Sequence, residues 1–296
     1  MKLLSDFDGV WTHPREEARV QGEKLEGALV GWGASQGVSE VGEWLARARV
    51  EVLERPLEFG WVSEGRISAF AGEDPFVTHG SLLHYIGVRA ASDPIAGLLE
   101  RAILAHGHAS LDAFGGATHH EGVRAVEAQR GPAILADSAA AGRSMLASGI
   151  EVDVVSNSTP EKLARWFGHA ALPYRVHPDR AAGALALRGG ARKFVLANRA
   201  PEWLELGAAR IDVARPHYRE VLQEIRPGAV VGDVFSLDLA LPLALKRSEP
   251  GWQDVRLFWL IRDYSPAWLR AEVERHAGAE VEILEDGLAG VAARLA

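Results

Sequence analysis

Short apolar runs that stop in acids or hydroxyls recur along this chain, with helical spacing between them. Lys2 to Phe7 is the first run. Glu151 to Val155 ends at Ser156, and Ala229 to Val231 ends at Gly232-Asp233. Val255 to Ile261 is the longest, and Val281 to Leu284 reads as an added edge. Helical patterns cover Ser138 to Ser148, Pro160 to His169, Tyr218 to Ile225 and Pro266 to His276. Apolar runs of this length, alternating with helices, predict the buried strands of a parallel sheet in an α/β core.

The stretch from Pro14 to Arg130 reads differently. It has no clear strand run, and its helical spacing covers Val38 to Leu53, Thr78 to Ala90, Asp93 to Ala105 and Gly122 to Arg130. Arg55 to Ala71 fits either a short hairpin or a loop. The expected organisation is a core of residues 1–13 and 131–296, interrupted by a mainly helical insertion, 14–130. With 296 residues, 48% of them hydrophobic, the chain can build one large core or two moderate ones. Within the later part, apolar flanks around Gly189-Gly190 predict a β-hairpin over Leu185 to Leu196.

Composition excludes several functions. A net charge of -8 disfavours nucleic-acid binding, which needs a basic face. There is no cysteine, which removes disulfides, zinc thiolates and thiol nucleophiles. The apolar stretch before Asp6 is too short for a signal peptide, and no run approaches a membrane span, so a cytoplasmic protein without a membrane partner is expected.

The strand ends carry the chemistry. Asp6 and Asp8 lie two residues apart at the end of the first run, followed by Gly9. Such a sequence is also an ordinary turn. The third run ends in Asp233, with Asp238 five residues on, and the second ends in Ser156-Asn157-Ser158-Thr159 before a helix that Pro160 can open. In open α/β sheets ligands bind outside the carboxyl ends of the strands. Carboxylates there suit a hard cation such as Mg²⁺. Hydroxyls and a helix N-terminus suit a phosphate. One carboxylate can then attack phosphorus while a second serves as acid and base.

These segments resemble the motifs of the haloacid dehalogenase superfamily, in order. Asp6-Phe7-Asp8-Gly9-Val10-Trp11-Thr12 is similar to its first motif, Ser156 to the hydroxyl of its second, and Gly232-Asp233 through Asp238 to its fourth. The resemblance implies a Rossmann-like, doubly wound parallel sheet with a helical cap inserted after the first motif. It implies Asp6 as nucleophile and metal ligand, and Asp8 as acid and base whose carbonyl also meets the metal. It further implies Ser156 and Asn157 on the phosphoryl group, Asp233 and Asp238 on Mg²⁺, and Thr12 in support of the loop. The third motif supplies a cation. Position along the chain favours Arg215, just before the helix preceding the third run, whereas residue type also allows Lys193. Aspartate at the position of Asp8 goes with phosphoryl transfer in this superfamily, while its dehalogenases carry other residues there.

The implied activity is hydrolysis of a phosphomonoester, and an insertion of this size favours a small-molecule substrate. A phosphotransferase or sugar phosphomutase would use the same residues, and a non-catalytic binding protein would not need them intact. Oligomeric state is open. His79, His84, His106, His108, His119 and His120 show no convincing metal-helix spacing and read as surface or core residues, as do Trp32, Trp44 and Trp61. Trp11, inside the first motif, is expected at the mouth of the pocket.

Overall fold

The computed structural model describes all 296 residues. In chain order the elements are β1 (Lys2–Ser5), α1 (Arg15–Ser35), α2 (Val41–Glu54), β2 (Gly60–Ser63), β3 (Arg66–Phe70), α3 (Pro75–Arg89), α4 (Pro94–Ala105) and α5 (Leu111–Arg130). Then come α6 (Ala136–Ala147), β4 (Glu151–Val155), α7 (Pro160–His169), β5 (Tyr174–Val176), β6 (Leu185–Arg188), β7 (Trp203–Leu206), β8 (Ala209–Asp212) and α8 (Pro216–Ile225). The chain ends with β9 (Ala229–Gly232), a π-helical turn (Phe235–Leu239), α9 (Ala240–Ser248), β10 (Arg256–Leu260), α10 (Ala267–Ala277), β11 (Val281–Leu284) and α11 (Gly287–Leu295). They form two compact units, Met1–His13 with Pro132–Ala296, and Pro14–Gly131.

The first unit is built on a seven-stranded sheet in the order β11-β10-β9-β1-β4-β6-β5. Every pairing in it is parallel. β1 is central, with Ser5 opposite Val154 of β4 on one side and Val231 of β9 on the other. The chain builds outward through β4, β6 and β5, then returns to lay β9 on the opposite edge of β1. That reversal between β1 and β9 is a topological switch point, where doubly wound sheets open a crevice.

Side-chain alternation sends Leu3, Val152, Val154, Ala229, Val231 and Phe258 to one face, where Ala139 and Met145 of α6, Leu163 and Phe167 of α7, and Val291 of α11 cover them. Leu4, Val230, Leu257 and Trp259 point the other way and are equally buried. Each fully buried aliphatic side chain contributes roughly 1.5–3 kcal/mol relative to exposure, which fixes the register.

The sheet departs from the expected hairpin. β6 pairs in parallel with both β4 and β5, and no strand returns from Gly189-Gly190. That turn is tied instead to the loop after β4, with Gly190 N–H donating to Ser158 O at 2.8 Å and Ala191 N–H to Ser156 O at 2.9 Å. The only hairpin in this unit is β7–β8.

The second unit packs α1 to α5 and an antiparallel β2–β3 hairpin around Leu25, Leu29, Trp44, Leu45, Leu82, Ile86, Leu99, Ile103 and Phe114. The ambiguous stretch between Arg55 and Ala71 is thus the hairpin. Asp74 and Asp93 cap α3 and α4, each followed by proline at the first helical position. The expected helix at Gly122 begins earlier, at Leu111, where Ser110 caps it. The long helix α1 has no counterpart in the sequence reading. No helix of the chain is long and apolar enough to cross a membrane.

Candidate active site

Asp6 follows directly on β1, and its N–H donates to Val231 O at 2.9 Å, so the β1–β9 ladder runs on to the acid itself. Beyond Asp8 the chain must turn tightly. Gly9 takes φ +75°, and a Cβ there would sit 1.9 Å from Asp233 Oδ2. Only glycine allows both the left-handed backbone and that close approach. Trp11 then anchors the loop. It is fully buried, donates to Ser5 Oγ at 2.9 Å and meets Phe167 edge-on at 5.1 Å. This places it in the core beneath the loop, not at a pocket mouth. An indole this large gains more from burial with its N–H satisfied than from a rim position.

On the other side of the switch point β9 leads directly into Asp233. Trp259 of β10 donates to Asp233 O at 2.8 Å, and the Tyr264 hydroxyl donates to Asp233 Oδ2 at 2.6 Å. Asp238 returns to the strand end on the π-helical turn, and its Oδ2 accepts from Val234 N–H at 3.1 Å. Gly232 makes room for it, since a Cβ would fall 2.3 Å from Asp238 Cβ. Asp6, Asp233 and Asp238 are all buried, and a carboxylate oxygen from each lies within 4.8 Å of the others.

Lys193 closes this cluster. Its ammonium lies 2.5 Å from Asp6 Oδ1 and 2.6 Å from Asp238 Oδ1. The backbone of Lys193 is gripped on both sides. Its N–H donates to Asn157 Oδ1 at 2.7 Å, and its carbonyl accepts from Arg215 Nη1 at 2.6 Å. The structure therefore corrects the preference for Arg215 as the cation beside the nucleophile. Arg215 is buried, but it contacts the carboxylates' partner through a carbonyl. Tyr218 of α8 adds a hydroxyl that donates to Asp238 O at 2.9 Å.

Burial pushes the Asp6 carboxyl well above the usual carboxylate range; the charges of Asp238 and Asp8 push the same way, and Lys193 only partly opposes them. Burial disfavours the Lys193 ammonium too, but Asp238 and Asp6 outweigh it and hold the group above an ordinary lysine. Three buried carboxylates against one ammonium is a set with unbalanced negative charge. A hard divalent cation with all-oxygen coordination would balance it, and the donor set fits Mg²⁺.

Asp8 is held separately. Ser158 Oγ donates to Asp8 Oδ2 at 3.2 Å and Thr12 Oγ1 to Asp8 Oδ1 at 3.4 Å. The Lys162 ammonium is 3.6 Å from Asp8 Oδ1. Ser156, at the end of β4, is buried, and its Oγ accepts from Ser158 N–H at 3.0 Å. Lys162, Tyr264 and Trp259 were not singled out from the sequence, and Ser158 was read only as one hydroxyl of the Ser156-Asn157-Ser158-Thr159 segment. Lys162 was within reach, since Pro160 marks the start of α7 and so puts Lys162 in its first turn, above the strand end.

No family model matches the chain, and no curated protein matches it in sequence. Among solved structures it aligns with a 2-haloacid dehalogenase from Pseudomonas syringae pv. Tomato DC3000 at 16% identity, over 100% of this chain and 99% of that one, with a TM-score of 0.37. An L-2-haloacid dehalogenase from Xanthobacter autotrophicus aligns at 12% identity, over 99% and 97%, with a TM-score of 0.32. Overlaps this loose do not decide a reaction. The reversal of strand order at β1 and the acids on both strands flanking that reversal make this a doubly wound, parallel α/β core with a carboxylate cluster at its switch point.

Proposed function

We propose that the chain is a magnesium-dependent phosphatase acting on a small phosphomonoester, with Asp6 as the group that takes the phosphoryl. The observation that carries the reading is the division of labour among the acids. Asp6, Asp233 and Asp238 converge with Lys193 on one cluster, while Asp8 is held apart by Ser158, Thr12 and Lys162.

Asp6 attacks phosphorus in line with the leaving oxygen. The phosphorus–oxygen bond to the leaving group breaks, and the proton on Asp8 passes to that oxygen. Asp8, now a carboxylate, takes a proton from water as the water oxygen attacks phosphorus; the bond between phosphorus and the Asp6 oxygen breaks, which frees the Asp6 carboxylate and inorganic phosphate and leaves Asp8 protonated again. Lys193 and the Ser156 hydroxyl bind phosphoryl oxygens through the cycle. Asp6, Asp233, Asp238 and the Asp8 carbonyl would hold the Mg²⁺, which when bound neutralises charge between nucleophile and phosphate. A carbon–halogen reaction would use only the water-activating half of that role, because halide leaves without a proton.

The test is phosphate release from a panel of phosphorylated metabolites with Mg²⁺, with EDTA and with Mg²⁺ restored. The reading expects release that EDTA abolishes and Mg²⁺ returns. No release from any ester, or release indifferent to EDTA, overturns it. Isomer formation without release would favour a mutase on the same residues.

A further inference from the structure

Lys162 is an unusual residue to find at the acid/base side of this site. Lysine is almost never fully buried without a partner, yet Lys162 is only 6% exposed. Its ammonium stands over the rings of Trp166 and Phe7, 5.2 and 5.8 Å from their centroids, and 3.6 Å from Asp8 Oδ1. Phe7 lies between Asp6 and Asp8 in sequence, and Trp166 is one turn further along α7. The Thr159 hydroxyl accepts from the Lys162 N–H at 3.2 Å and pins this first turn of the helix to the end of β4.

The contacts of Asp8 are distributed over both its oxygens. Ser158 holds Oδ2, and Thr12 and Lys162 hold Oδ1. A carboxylate gripped at both oxygens cannot swing about its own axis. Two of the three groups, Ser158 and Lys162, come from the β4–α7 junction, and Thr12 comes from the loop that carries Asp8 itself.

We infer that Lys162 is a positioning residue, which orients the Asp8 carboxyl toward the leaving-group oxygen. The inference rests on the phosphatase reading. Lys162 neither meets the phosphoryl group nor exchanges a proton; it acts through Asp8. A misplacement of about 1 Å in a reacting group can cost on the order of 100-fold.

The test compares two substrates in the full-length Mg²⁺-loaded protein and in Lys162→Met, whose apolar stem keeps the packing on Phe7 and Trp166. A nitrophenyl phosphate expels a stable aryloxide and hardly needs a proton, whereas glycerol phosphate expels an alkoxide and does. Because kcat/KM reports the transfer to Asp6 and not the later hydrolysis that both esters share, Lys162→Met is expected to lower kcat/KM for glycerol phosphate about 10- to 100-fold and kcat/KM for nitrophenyl phosphate no more than about 3-fold. The ratio of the two rates does not depend on how much of the variant is folded. Equal loss of kcat/KM on both substrates would reduce Lys162 to a structural cation, and no loss on either would remove it from the reaction, in both cases with the phosphatase reading intact. Wild-type protein that cleaves neither ester and no member of the metabolite panel overturns the phosphatase reading itself, and the role of Lys162 with it. Wild-type cleavage of the aryl ester with no release from any alkyl phosphate of the panel means Asp8 protonates no leaving group and overturns the role while sparing the hydrolysis.

Discussion

Arg215 reaches the site through the main chain of Lys193, its Nη1 2.6 Å from the Lys193 carbonyl oxygen, while the Lys193 ammonium meets Asp6 and Asp238. One cation touches the acids, and the other fixes the loop that presents it. The two should therefore fail differently. Lys193→Met strips the counter-charge from buried carboxylates, which typically costs about 3–5 kcal/mol when one partner of a buried pair is lost. It should also cut kcat by about 100-fold or more. Arg215→Met should cost stability but reduce kcat only about 10-fold, by loosening the loop. Steady-state kinetics and urea titration of both variants check this, and the reverse order of severity would contradict it.

Tyr264 touches the proposed metal site from outside. Its hydroxyl donates to Asp233 Oδ2 at 2.6 Å. Loss of such an outer partner typically weakens metal binding about 10- to 100-fold. Tyr264→Phe should raise the Mg²⁺ concentration for half-maximal activity by about 10-fold or more, with kcat at saturating Mg²⁺ nearly unchanged. A Mg²⁺ titration of the two proteins reads this directly, and an unchanged half-maximal concentration would count against Asp233 as a ligand.

The strand ends were legible because apolar runs and the acids that stop them sit side by side in the sequence. The choice between the two candidate cations, Arg215 and Lys193, was not, because their places depend on how loops cross. Lys193 follows β6, and hydrogen bonds from Gly190 and Ala191 to the β4–α7 loop carry it over to Asp6. Distance along the chain pointed to Arg215 instead. The Gly189-Gly190 hairpin failed for a related reason, since a buried strand looks the same whether its neighbour is antiparallel or parallel. Helix α1 escaped notice because the face it buries carries Glu17, Gln21, Gly22 and Gly33 beside Leu25 and Leu29. That face has no continuous apolar stripe to give a period.

His79 makes stability depend on pH within the Pro14–Gly131 unit. Burial pushes its imidazole down to about 4, and nearby Arg49 adds to the shift against the opposing bond between His79 Nε2 and Ala18 O. The native state holds the neutral ring, while the unfolded chain takes up a proton near pH 6.5. This contribution is complete above about pH 6.5 and is lost as pH falls toward 4. Between about pH 7 and pH 5 it should remove about 2 kcal/mol. Denaturant unfolding of wild type and His79→Gln at the two pH values measures it, and an equal loss in both proteins would assign the pH dependence elsewhere.

The central claim concerns Asp6, which stands at the end of β1 with Lys193 on its carboxylate. Asp6→Asn keeps the shape of the side chain and removes the nucleophile. Phosphate release from the best substrate of the panel, with saturating Mg²⁺, should fall to background in Asp6→Asn while circular dichroism and the thermal midpoint show a folded protein. Turnover near the wild-type rate in that variant would contradict the mechanism.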